Sequence, residues 1–177
     1  MESLTGCTIF KNKYAKDDRG YFIEAYRQSC FSEFPDILQT NVSVSHKDVV
    51  RGFHFQKNPL AQGKLVRSLL GVFLDAVIDL RVGSPTYGQI ESFLLQPEGI
   101  SVYVPVGFGH SFWCLSDDGV FHYGCTQEYD RDSEGGISPI DPDLPLPWRD
   151  NPNIILSDKD KSLPRLRDFQ SPFRMGS

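Results

Sequence analysis

An all-β sandwich or barrel is the fold class this sequence predicts, on three observations. Glycine and proline, 15 and 12 of the 177 residues, interrupt the chain at short intervals. The runs between them are brief and rich in Val, Ile, Phe and Tyr. Only two short stretches, 27–34 and one in the tail, have a helical reading. Short strands at regular spacing, parted by turn residues, are the pattern of sandwiches and barrels.

The elements follow in order. VVRGFHFQ (49–56) reads as a strand. Side chains two apart share a strand face, so His54 points with Gly52 and Gln56, while Phe53 and Phe55 point the other way. A small residue and an amide beside a histidine suit a cavity wall, although a packed core histidine fits the pattern equally. Further runs lie at 64–70, 72–80, 89–95, 100–106, 110–115 and 120–126. Turn chemistry separates them at Gly71, 83–85 (GSP), 97–99 (PEG), 105–107 (PVG) and 117–119 (DDG). VFLDAVIDL (72–80) is apolar on both parities, which predicts cover on both faces. It carries Asp75 and Asp79, and a carboxylate inside such a strand is costly without a partner. Either is satisfied by backbone or arginine, or one braces an active-site cation. DPDLPLPWRDNP (141–152) has too many prolines for helix or central strand and reads as an extended wrap around the body.

The totals bound the function. A chain of 177 residues favours one domain, 1–177, with a sizeable core. Its net charge of −5, without a long basic run, argues against duplex nucleic acid but not against a small phosphorylated ligand. The opening residues lack the apolar core of a signal peptide, and no run has the length of a membrane span, so a cytoplasmic location is expected. Cys7, Cys30, Cys114 and Cys125 show no C-x-x-C spacing and read as reduced and mostly buried.

Three chemistries compete for His54. A metal site needs several converging ligands. Here positions 52 and 56 hold no histidine, and His110 and His122 stand alone on other runs. Nucleophilic catalysis lacks a G-x-S-x-G elbow, and no glycine-rich phosphate loop opens a helix. Acid–base chemistry by side chains alone remains. His54 is then a base that a carboxylate orients, and Lys64 stabilises a developing enolate. Tyr123, which shares a face with Phe121 and Cys125, returns a proton; the alternative for Tyr123 is a packed ring with a bonded hydroxyl.

Nine blocks in order then carry a family resemblance: DDRGYFIEAY (17–26), QTNVSVS (39–45), VVRGFHFQ (49–56), QGKLVR (62–67), DLRVGSPTYG (79–88), VPVGFGHSF (104–112), YGCTQEYDRDSEGGI (123–137), IDPDLPLPW (140–148) and LSDKD (156–160). Together they resemble the dTDP-4-dehydrorhamnose 3,5-epimerases and related nucleotide-sugar epimerases. The resemblance implies a double-stranded β-helix (jelly-roll, cupin-type) with short peripheral helices. It implies a homodimer whose N-terminal strands, about 1–48, cross to the partner, and a tail, about 149–177, wrapped on the barrel. No metal and no organic cofactor is implied. The substrate is a dTDP-4-keto-6-deoxy sugar, inverted at C3 and C5 next to its ketone. Relatives that invert C3 alone, or that move the ketone, share the same pattern, and a silent sugar-nucleotide binder is the rival from another class.

By matching position, His54 resembles the catalytic base, Asp160 its carboxylate partner, Tyr123 the proton donor and Lys64 the enolate holder. His110 resembles a second histidine of the pocket, with Asp75 bracing it. Arg19, Phe22, Glu24, Gln39, Asn41, Arg51, Tyr129, Glu134 and Lys159 match positions that hold substrate. Phe22 and Tyr129 are the aromatics expected against the base. Strict alternation puts Arg51 opposite His54, so the strand must bulge at Gly52 or Arg51 must reach round from its end. Where the family usually reads G-H-G-F, this chain has Ser111, followed by Trp113. Both are expected to reshape the pocket floor and so bear on which carbons are inverted.

Overall fold

The computed structural model describes residues 6–176. Residues 1–5 of the segment expected to cross to a partner lie outside the described residues. Twelve strands are described: β1 (Thr8–Lys11), β2 (Tyr14–Asp17), β3 (Gly20–Ile23), β4 (Gln39–His46), β5 (Val50–Gln56), β6 (Lys64–Leu70), β7 (Phe73–Asp79), β8 (Ile90–Leu95), β9 (Ile100–Val104), β10 (Phe108–Cys114), β11 (Asp118–Cys125) and β12 (Glu134–Gly136). The first sheet runs β1-β9-β6-β11-β4, the second β12-β5-β10-β7-β8, and β2-β3 form a separate hairpin. The ladders are antiparallel, and the two sheets face each other as a double-stranded β-helix. No helix among the described residues is long and apolar enough to cross a membrane.

Two apolar clusters show why the strands read as they do. The inner one joins Val66, Val102 and Phe121 of the first sheet to Phe73, Val77, Phe108 and Phe112 of the second. The outer one lies behind the second sheet, where Val50, Phe53, Ala76 and Ile78 meet Ile137, Leu144, Leu146, Trp148 and Phe173. The Pro-rich stretch is therefore a lid on the second sheet, and this is why β7 is apolar on both faces. Trp148 is 1% exposed there and donates to the Pro139 carbonyl at 2.7 Å.

Asp79 is satisfied locally: it accepts from the Arg81 amide and guanidinium at 2.8–3.0 Å and from the Ser84 and Thr86 hydroxyls at 2.6 Å each. Burial pushes its pKa up, but these donors outweigh that and hold it below the ordinary value. The helix expected over 27–34 is only a 3₁₀ turn, Gln28–Cys30, without a side-chain cap or a buried residue. The aromatics around it are used otherwise: Phe31 and Phe34 pack on Phe10, and Phe34 packs on Tyr103. The tail contributes one α-turn, α1 (Asp158–Lys161), and a 3₁₀ turn, Leu166–Asp168. Cys30, Cys114 and Cys125 are reduced thiols, and of the four cysteines three are buried and Cys30 is exposed.

Candidate active site

At one end of the sandwich the sheets part around a cleft of about 250 Å³. Its walls come from both sheets. His54 and Gln56 stand on β5 of the second; Gln39 and Asn41 of β4, Lys64 of β6, and Tyr123 and Cys125 of β11 stand on the first. Tyr129 and Glu134 close the mouth.

Gly52 aims His54. Its φ is +108°, and a Cβ there would come within 2.3 Å of the His110 carbonyl oxygen, so only glycine fits. The ladder slips here: His54 faces His110 and Arg51 faces Phe112, leaving one extra residue on β5. Directly opposed residues share a face. The bulge therefore returns Arg51 to the side of His54, as the sequence required if Arg51 is to serve the cleft. Arg51 donates from Nε to Ser45 Oγ at 3.2 Å and from Nη2 to the Val44 carbonyl at 3.4 Å.

His54 Nε2 lies 2.6 Å from Asp160 Oδ1. Asp160 is 3% exposed and sits in α1, whose N-cap Ser157 accepts from the Asp160 amide and donates to Asp160 Oδ2 at 2.9 Å. Burial acts to raise the Asp160 pKa, but the hydrogen bond and charge of His54 outweigh it and hold the carboxyl below its usual range. On the facing wall, burial raises the Tyr123 phenol, which stays protonated, and lowers the Lys64 ammonium. Lys64 Nζ donates to the His54 carbonyl at 3.3 Å.

Behind this layer His110 Nε2 meets Asp75 Oδ1 at 2.6 Å, and the His110 ring stacks on Phe121. Two amides hold the mouth. Gln39 accepts from the Tyr129 amide at 2.8 Å. Gln56 donates to the Leu60 and Glu128 carbonyls and accepts from the Asp130 amide at 2.8 Å. The Tyr129 hydroxyl donates to Glu134 at 2.9 Å, and Lys159 pairs with Glu134 at 2.5 Å.

Of the residues singled out in the sequence, His54, Asp160, Tyr123, Lys64, Gln39, Asn41, Tyr129, Glu134 and Lys159 lie in or against this cleft. Arg19, Phe22 and Glu24 do not: Arg19 pairs with Asp17 on the β2-β3 hairpin, Phe22 is 70% exposed, and Glu24 pairs with Lys13 and Arg27. Ser111 and Trp113 correct an expectation. They lie opposite Ala76 and Leu74, and Trp113 packs on the outer cluster and donates to Asp48 at 3.3 Å. Alternation along β10 turns both away from His110, so neither forms the pocket floor. Gln62 and Cys125 line the cleft without having been singled out for it; Cys125 shares a face with Tyr123, and that parity was the available signal, as it was for Gln56 beside His54. No group of three or more His, Cys, Asp or Glu among the described residues is arranged to hold a metal ion.

A base dyad on one wall, a phenol on the other and an ammonium between them suit proton removal and return on opposite faces of one carbon. The comparisons agree with that chemistry. The family described as dTDP-4-dehydrorhamnose 3,5-epimerase matches residues 1–168. The dTDP-4-dehydrorhamnose 3,5-epimerase of Streptomyces griseus is 39% identical over 172 residues, 95% of this chain and 86% of that protein. The crystal structure of the enzyme of that name from Elizabethkingia anophelis superposes with a TM-score of 0.84 at 38% identity, covering 95% of each chain. A 3'-monoepimerase from Streptomyces bikiniensis, solved with dTDP-quinovose, superposes with a TM-score of 0.86 at 34% identity, covering 94% of this chain and 88% of that one. Fold, cleft and sequence similarity across nearly the whole chain converge: the chain belongs to the dTDP-4-dehydrorhamnose 3,5-epimerase family.

Proposed function

We propose that this chain epimerises a dTDP-4-keto-6-deoxyhexose at C3 and C5 in deoxysugar biosynthesis, without metal or organic cofactor. One observation carries the reading: His54 with Asp160, and Tyr123, stand on opposite walls of the same cleft with Lys64 beside them. The C4 ketone makes its neighbouring C–H bonds acidic. His54, through the ring nitrogen not bonded to Asp160, takes the C3 proton, and the electron pair passes to the C4 oxygen as an enolate. Lys64 holds that oxygen. Tyr123 gives a proton to C3 from the other face, and the enolate collapses back to the ketone. His54 then releases its proton to solvent and Tyr123 regains one from solvent, and the same cycle runs at C5. Asp160 keeps His54 in one tautomer and stabilises the imidazolium.

The nucleotide lies along the mouth, with Tyr129 against the base and Arg51 and Lys159 on the diphosphate. Arg19, Phe22 and Glu24 complete this site in a homodimer, each hairpin serving the partner's cleft. The isolated β2-β3 hairpin, exposed Phe22, and the bare Val42 and Val44 of β4, 60% and 62% exposed, support that reading. The reduced thiols of Cys30, Cys114 and Cys125 and the nucleotide-sugar substrate support a cytoplasmic site of action.

Proton NMR of dTDP-4-keto-6-deoxyglucose with the protein in D2O tests the proposal. Exchange at C3 and C5, lost in His54→Asn, is the expected result. Exchange at C3 alone moves the chain to the 3-epimerases, whose Streptomyces bikiniensis member is 38% identical over 144 residues. Binding of dTDP without exchange at either carbon makes it a silent binder. A ketone found at another carbon makes it an isomerase of that kind.

A further inference from the structure

The face of β6 turned away from the cleft carries a buried cation without a counter-charge of its own. Arg67 is 3% exposed. Its Nη1 donates to the Glu24 carbonyl at 3.0 Å, and its buried Nε has no partner. Burial lowers its pKa to about 10. An ion held this way costs free energy unless an anion meets it. The carboxylate nearby, Glu24, is already shared between Lys13 at 3.2 Å and Arg27. Arg67, Lys13, Arg27 and Lys11 line one cavity of about 80 Å³, and Glu24 is the single acid in its lining. Four cations against one carboxylate is a local excess on a chain whose net charge is −5. None of the four cations lines the active-site cleft.

We propose that this cavity, between the segment after β3 and the outer face of the first sheet, binds a small tetrahedral oxyanion of the size and charge of phosphate. Arg67 grips it from the sheet, and Lys11, Lys13 and Arg27 close over it. A guanidinium offers planar, paired N–H donors that suit an oxyanion. At roughly 30 Å³ per water the cavity has room for two or three waters. A five-atom ion fits there and a nucleoside does not. The ligand is therefore the free ion, separate from the diphosphate of a sugar nucleotide.

The test is calorimetric titration of inorganic phosphate into the full chain held in saturating dTDP, with chloride at equal ionic strength as control. Saturable binding, one ion per chain, is expected. Arg67→Gln should weaken it about tenfold or more, the worth of a charge-assisted hydrogen bond. Lys159→Gln, which alters the cleft, should leave it unchanged whether or not dTDP binds there. Phosphate heat no greater than that of chloride overturns the proposal. So does loss of binding in Lys159→Gln, which places phosphate in the cleft. If Arg67→Gln does not fold, the Lys11→Gln/Lys13→Gln double variant decides, and unchanged phosphate affinity in it overturns the site.

Discussion

Two histidine–carboxylate pairs sit on neighbouring strands of the same sheet, and they differ in everything except length. His54 and His110 face each other across β5 and β10, and each ring nitrogen lies 2.6 Å from its aspartate. The His54 side chain is 27% exposed to the cleft, whereas that of His110 is 8% exposed. Asp160 comes from the tail, and its second oxygen is held by Ser157. Asp75 comes from the adjoining strand, and its second oxygen is buried without a partner. The same pair thus serves two ends. On the proposed mechanism the pair opened to substrate and braced from outside the sheet moves a proton, and the pair sealed between the sheets holds the wall behind it.

His54→Asn should break that contrast most. Loss of a general base costs about 10²–10⁴ in rate. Deuterium uptake at C3 should fall by that factor, while His110→Asn should lose far less. An equal loss in both would erase the distinction between the pairs. Second in size is His110→Phe, which strands Asp75 in the interior. Breaking one side of a buried pair costs about 3–5 kcal/mol. Urea unfolding should show a loss of this order, against a smaller one for His54→Asn at the open pair.

Lys64→Met should lower the turnover rate about 10²–10³-fold, the range for one group stabilising a developing oxyanion. It should also raise the urea midpoint. Burial depresses the Lys64 pKa, so the unfolded chain binds its proton more tightly and the charged form costs stability below the folded pKa. That penalty fades as pH rises through the folded value toward the ordinary one.

Asp160→Asn sharpens the comparison by pH. The folded Asp160 pKa lies below its unfolded value, near 3.9. Its contribution is therefore complete above about 3.9 and lost as pH falls through the folded value. Unfolding midpoints measured between about pH 6 and 2 should fall less steeply in the variant. The smallest effect belongs to Ser157→Ala, which removes the cap of α1 at about 1 kcal/mol. KM should hold while kcat drops, since only the aim of Asp160 changes.

Much of this was legible in the chain because strands announce themselves by turns and parity. The run predicted at 64–70 is β6, and that at 72–80 holds β7. The parity of His54 with Gln56 correctly placed both in one cleft wall. The same rule, applied to β10, turns Ser111 and Trp113 outward, and expecting them in the floor neglected it. Other features have no local signal. Asp160 reaches His54 across 106 residues, a pairing that only family resemblance supplied. The stretch 27–34, expected to be helical, holds only the turn Gln28–Cys30, because Phe31 and Phe34 after it pack on Phe10 and Tyr103 instead.

The late position of Asp160 has a consequence for biosynthesis. In chain order β1 to β12, including the strands that hold His54, Lys64 and Tyr123, are all made before residue 158. A chain ended before α1 thus keeps the strands and the Pro-rich cover but has an unaimed histidine. On the proposed mechanism catalytic competence arrives only with α1, so the reaction itself reports that synthesis has passed that point.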